Sequence, residues 1–192
     1  VFKTEAIILF IEVIRDNNIR IILLTKEFGK VSCWYKKKQF LYDIGDIVFV
    51  ILERNNSINL IKHIESKNSP REEHWTYAKI SIFLENLSMM YELLPEESPY
   101  ETVFQDYRGL LIHMQSAKTL HEHHYLLFQF RFLRTLGYIG KEDLQNTPIL
   151  RYIFENILKT PLNQLLRSKE LNGEDAKTIE MKNKEIFYRS TI

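Results

Sequence analysis

Residues 4–38, TEAIILFIEVIRDNNIRIILLTKEFGKVSCWYKKK, contain three apolar runs, Thr4 to Ile14, Ile19 to Thr25 and Lys30 to Tyr35, separated by two polar breaks. Ile, Val and Phe dominate these runs, and such side chains pack well on a pleated, half-buried surface. The pattern therefore predicts three strands. Asp16-Asn17-Asn18 supplies the first turn, because short amides and carboxylates bond their own backbone and tolerate left-handed conformations. Gly29 supplies the second, where a positive φ carries little steric cost. Alternation along the third run sends Lys30, Ser32, Trp34 and Lys36 to one face and Val31, Cys33 and Tyr35 to the other. The first set reads as the outer face, which makes Cys33 a small buried hydrophobe.

Two further strands are expected, Asp46 to Leu52 behind Gly45, and Ile58 to Ile64 behind the turn Arg54-Asn55-Asn56-Ser57. Five short strands without an intervening helix predict a small barrel, and a five-stranded Greek-key barrel of the oligonucleotide-binding (OB) type leaves no open edges. Ser66 to Pro70 reads as a linker, after which the apolar period changes from two to 3.6. Trp75, Ala78, Ile82, Leu87, Met90 and Leu94 mark a helix from about Arg71 to Leu94, with Ser69 as its N-cap and Pro70 in its first turn. A second helix is expected from about Pro99 to Ser116. A third, His121 to Leu136, is apolar nearly all round and reads as the buried core helix, with Gly137 at its C′ position. Thr147-Pro148 and Thr160-Pro161 each read as an N-cap followed by proline, and a last helix is expected from about Glu174 to Tyr188. The expected class is α+β: an OB-type barrel over residues 1–66 and an all-helical domain over 67–192.

With 192 residues and a formal net charge of +1, the chain has no global attraction for polyanions, so a nucleic-acid site has to come from local clustering. One cysteine excludes an intrachain disulfide and a multi-cysteine zinc site and fits a reducing compartment. The early apolar run is broken by Glu5 and Glu12, unlike a signal peptide, and an apolar run such as Ile47 to Leu52, exceeded in length by no other, is far too short to span a bilayer. A soluble, cytoplasmic protein without membrane contact is expected.

The order TEAIIL, a charged turn, then Leu23-Leu24-Thr25-Lys26-Glu27-Phe28-Gly29-Lys30-Val31 resembles the start of RecO, a bacterial family of recombination mediators. Phe132-Leu133-Arg134-Thr135-Leu136-Gly137-Tyr138 is similar to the family's "LL..LGY" segment, and Pro148 to Ile153 and Pro161-Leu162 resemble its later helices. Two departures stand out. Tyr35-Lys36-Lys37-Lys38 lacks the glycine of the family's basic segment, and Ile139 to Leu144 has no cysteine where many members carry a four-cysteine zinc site. The resemblance is thus to a short, zinc-free variant. It implies an OB barrel followed by helices, and single-stranded DNA as principal partner with double-stranded DNA second. It also implies strand annealing and help in loading the RecA recombinase during RecF-pathway repair. RecR and the acidic-hydrophobic C-terminal tail of the single-stranded-DNA-binding protein are the implied protein partners, with no cofactor and no catalysis.

The candidate DNA-binding residues are Arg15, Arg20, Lys26, Lys30, Trp34, Lys36, Lys37 and Lys38. Cationic groups track phosphates, and an exposed ring stacks on bases without regard to sequence. The plainer account is a solvated face, since lysines on turns are common; Tyr35 is expected to point inward. Arg131, Arg134 and Arg151 are candidate cations for the tail's carboxylates. His121-Glu122-His123-His124 lacks the i, i+4 histidine pair of a zinc-protease helix, because position 125 is Tyr, and reads as a polar first turn rather than a metal site. There is no nucleophile elbow and no phosphate-binding glycine loop. The alternative function is an OB-fold module that binds protein or RNA without DNA activity.

Overall fold

A computed structural model describes residues 1–14, 18–36, 40–55, 58–70, 75–116, 123–144, 147–162, 164 and 171–191. Strands β1 (Phe2–Val13), β2 (Asn18–Thr25), β3 (Gly29–Lys36), β4 (Ile47–Asn55) and β5 (Ile58–Asn68) close into a barrel in the order β1-β2-β3-β5-β4. Four seams are antiparallel, and β3 meets β5 in parallel. This is the expected OB-type barrel, and helices follow it: α1 (Tyr77–Leu93), α2 (Glu101–Ser116), α3 (His123–Thr135), a 3₁₀ turn at Lys141–Leu144, α4 (Pro148–Asn156) and α5 (Gly173–Ser190). The class is α+β.

Alternation builds the barrel's interior. Ile19, Ile21 and Leu23 of β2 meet Val31, Cys33 and Tyr35 of β3, with Val48, Val50 and Leu52 of β4 and Ile61 and Ile64 of β5 completing the cluster. On β1 the register shifts between Ile8 and Phe10, so inward positions change parity from Ala6 and Ile8 to Ile11. The opposite faces of β1 and β2 are buried too, at Ile7, Leu9, Ile22 and Leu24. Helix α1 packs on β1, and the ring of Phe10 stacks 5.1 Å from that of Tyr91. Burial on both faces explains why these runs read as almost continuously apolar.

Gly29 and Gly45, at φ +75° and +88°, set two of the barrel's turns. Gly29 begins β3, with Thr25 Oγ1 donating to its carbonyl and accepting from the Phe28 amide. A Cβ at Gly29 would lie 1.9 Å from the carbonyl oxygen of Ser98, so the 94–100 segment is seated directly on the turn. The Glu97 amide donates to the carbonyl of Lys30 at 3.0 Å, continuing that contact.

The first helix starts later than expected. Ser69 donates to Asp46 Oδ1 at 2.7 Å instead of capping, and Thr76 Oγ1 accepts from the Lys79 amide at the true start of α1. The strand β5 also absorbs Ser66 to Asn68, which read as linker. By compactness the chain divides into Val1–Phe104 and Gln105–Ile192 rather than at residue 66, with α1 grouped with the barrel and α2 running through the division.

In the second unit α3 is the central element: Leu126, Leu127, Phe128, Phe130, Phe132 and Leu133 are all buried. It ends in a Schellman motif, with the Tyr138 amide bonded to the Leu133 carbonyl, the Gly137 amide to that of Arg134, and Gly137 at φ +80°. Asn172 caps α5 by accepting from the amides of Glu174 and Asp175, and Asn183 Nδ2 donates to the Leu126 carbonyl to join α5 to α3. Thr147 stands at the N-cap of α4, with Pro148 at its first position and without a side-chain capping bond. The expected helix behind Thr160-Pro161 falls mostly outside the described residues.

Candidate nucleic-acid interface on the barrel

The outer face of β3 has the alternation the sequence predicts: Lys30, Ser32 and Trp34 are half-buried and Lys36 is exposed, while Val31, Cys33 and Tyr35 are buried. Arg20 on β2 sits directly opposite Trp34. Its Nε donates to Ser32 Oγ at 3.2 Å, and its Nη1 lies 3.5 Å from Glu12 Oε2. These contacts hold the guanidinium along the sheet surface beside the indole. Lys36 follows two residues on, opposite Asn18.

On the other side of Trp34 the barrel closes onto β5. Trp34 pairs with Leu60, and Cys33 with Asn59. Past these pairs a groove of about 610 Å³ lies between the strands, lined by Asn18, Trp34, Tyr35, Lys36 and Leu60 through Ile64. The β4–β5 register shifts between the Ile51 and Leu52 pairs, and this leaves Lys62 and His63 both exposed. Lys62 Nζ is 2.9 Å from Glu53 Oε2, an exposed pair that screening makes weak. Trp34, Lys36, Lys62 and His63 thus line one groove, and Arg20 flanks Trp34 on the neighbouring strand.

Two predicted members are elsewhere. Lys30 shares the outer face, but its Nζ donates to the Tyr91 carbonyl at 2.9 Å and stands 5.7 Å from the centre of the Tyr91 ring. Burial pulls its pKa below the usual lysine value, against the opposing pull of Glu96 and Glu92. Alternation fixed its face correctly; α1, which covers that end of the strand, was not visible in the spacing. Lys26 sits beyond the far end of β2, six residues or roughly 20 Å of strand from Arg20. There it lies 3.8 Å from Glu101 Oε1. Arg15, Lys37 and Lys38 lie outside the described residues.

Of the arginines assigned to a partner tail, Arg131 is turned into the core instead. Its Nε lies 2.5 Å from Asp106 Oδ2, and its Nη1 donates to the carbonyls of Ile157 and Thr160. Arg134 lays its guanidinium 3.5 Å from the centre of the Phe154 ring, and its Nη1 is buried without a partner among the described residues. Burial lowers its pKa. Arg151 is exposed on α4. His113 Nε2 and His124 Nδ1 are 2.7 Å apart, but the described residues contain no group of three or more metal-ligating side chains. His121 lies outside them. Burial pushes the Cys33 thiol up to about 12, as expected for an inert core residue.

Sequence reasoning missed Leu60, Lys62 and His63. A strand over these residues was readable, but the register shift that exposes both Lys62 and His63 breaks its alternation, and nothing local states that β5 closes against β3, since that parallel seam joins separate strands. No protein-family model and no curated protein sequence matches this chain. Among the described residues no helix is long and apolar enough to cross a membrane.

Proposed function

We propose that the chain is a RecO-like recombination mediator that binds single-stranded DNA on the outer face of its barrel. The observation that carries this reading is the placement of Trp34 and Lys36 in one groove, with Arg20 directly opposite Trp34 on the neighbouring strand, on a barrel of the OB type. Such a surface binds a strand by releasing counterions from its phosphates and stacking its bases, without hydrolysing anything. Annealing follows from the same physics, because a cationic surface concentrates two strands and weakens their mutual repulsion. Loading of RecA, displacement of the single-stranded-DNA-binding protein through its tail, association with RecR and a cytoplasmic location complete the proposal and rest on the sequence resemblance. With Arg131 held inside the core, Arg134 and Arg151 remain as cations for the tail.

Fluorescence anisotropy with a labelled single strand across a salt series tests the reading. The expected log K falls with log salt by about 0.7 per phosphate neutralised, and Lys36→Ala makes the slope shallower. Trp34→Ala loses roughly 1–3 kcal/mol with the slope retained. Absence of binding at low salt would overturn the DNA reading in favour of a protein-binding module, and tighter binding to RNA of the same sequence would favour RNA.

A further inference from the structure

A single row of paired positions crosses four seams of the barrel. Glu12 on β1 pairs with Arg20 on β2, Arg20 with Trp34 on β3, Trp34 with Leu60 on β5, and Leu60 with Glu53 on β4. With about 4.8 Å between neighbouring strands the row spans roughly 19 Å. A carboxylate closes it at each end, and each carboxylate holds a cation of the candidate interface. Glu12 Oε2 is 3.5 Å from Arg20 Nη1, and Glu53 Oε2 is 2.9 Å from Lys62 Nζ, two residues beyond Leu60. Of Arg20, Lys36 and Lys62, Lys36 alone has no carboxylate partner among the described residues. Both pairs stay open to a ligand, since all four side chains are 40–50% exposed.

We infer that Glu12 and Glu53 are resident competitors of the DNA strand: each occupies its cation in place of a phosphate, and a strand binds by exchanging both carboxylates for phosphates. The inference rests on the DNA-binding reading above and adds to it what limits affinity at that surface. An exposed ion pair contributes little stability, so the exchange is cheap. Each carboxylate left behind faces the incoming phosphates and regains a counterion, which offsets part of the counterion release that drives binding. The surface therefore binds more weakly, and with a smaller salt dependence, than its cations alone would give. An isolated anion displaces one carboxylate and gains one contact. A continuous strand displaces both, the second in an intramolecular step, so the device favours a polymer over free nucleotides and leaves the complex easy to dissolve.

The test is single-strand binding by anisotropy across a salt series for wild type, Glu12→Gln, Glu53→Gln and Glu65→Gln. Glu65 is the control, because its partner Lys67 lies outside the groove. Glu12→Gln and Glu53→Gln should each tighten binding about two- to fivefold and steepen the slope of log K against log salt by up to about 0.7, the share of one phosphate. Glu65→Gln should change neither. A second arm places Glu12→Gln on an Arg20→Gln background and Glu53→Gln on Lys62→Gln, where the gain should vanish because no cation remains to be freed. Wild-type affinity in both Glu→Gln variants, an equal gain in Glu65→Gln, or a gain that persists without Arg20 and Lys62 would overturn the competition while leaving the DNA-binding reading in place. Failure of wild type to bind the strand at low salt would instead remove that reading, and the inference with it.

Discussion

The barrel's core cluster, from Ala6 and Ile8 through Val31, Cys33 and Val50 to Ile64, is apolar, and the buried polar side chains described in Val1–Phe104, Thr4, Thr25, Asp46 and Asn86, lie outside it. The unit Gln105–Ile192 buries Asp106, His124, Gln129, Arg131, Asp143 and Asn183 among its apolar residues. The difference follows from how each kind of element chooses its partner. A one-residue slip in a strand turns every side chain to the wrong face, so alternation alone specifies register. A helix face can rotate or slide against an apolar neighbour at lower cost, and directional polar contacts narrow that freedom. Arg131 does so with one guanidinium, joining Asp106 on α2 to the carbonyls of Ile157 and Thr160.

The largest expected effect comes from breaking that contact. Arg131→Met leaves the Asp106 carboxylate buried without its counterion and should cost about 3–5 kcal/mol in urea unfolding followed by helix circular dichroism. Adding Asp106→Leu should recover much of the loss, because the penalty lies in the orphaned charge. If the single variant is as stable as wild type, the helical unit does not depend on its polar contacts and the comparison fails. In the barrel the corresponding weak point is backbone shape. Gly29→Ala places a methyl group against the Ser98 carbonyl at positive φ and should cost at least about 2 kcal/mol, although no polar group is lost.

Asp143 sharpens the comparison through pH. Burial pushes its carboxyl up, but the Gly140 amide, the Arg189 guanidinium and the Lys182 ammonium together hold it below the usual carboxylate range. A carboxyl with a lowered folded pKa adds stability above its unfolded value and loses it as pH falls through the folded one. Asp143→Asn should therefore destabilise by about 1.5 kcal/mol at pH 7, with the difference shrinking below about pH 4. A constant difference from pH 7 to pH 3 would show that ionisation is not its source.

The smallest effect has the opposite sign. Gly109 lies within α2 with open space around an added Cβ, so Gly109→Ala should raise the unfolding midpoint by up to about 1 kcal/mol of stability. Cys33 then separates the two units without perturbing either, since its buried thiol should resist a thiol reagent until the barrel opens. Labelling slower than loss of helix signal in Arg131→Met would show that the helical unit opens first.

By itself the sequence determined the five strands, the inward direction of Val31, Cys33 and Tyr35, the central helix with its Gly137 cap, and the outward placement of Trp34 and Lys36. All are consequences of period and turn chemistry acting over a few residues, which local sequence records. The tertiary structure alone decided that β5 closes beside Trp34, that α1 takes Lys30 and starts at Thr76 rather than Ser69, and that Arg131 turns inward to Asp106. Each of these joins residues far apart in the chain. A side chain's type and spacing fix the face it lies on, but what covers that face depends on which distant segment packs there.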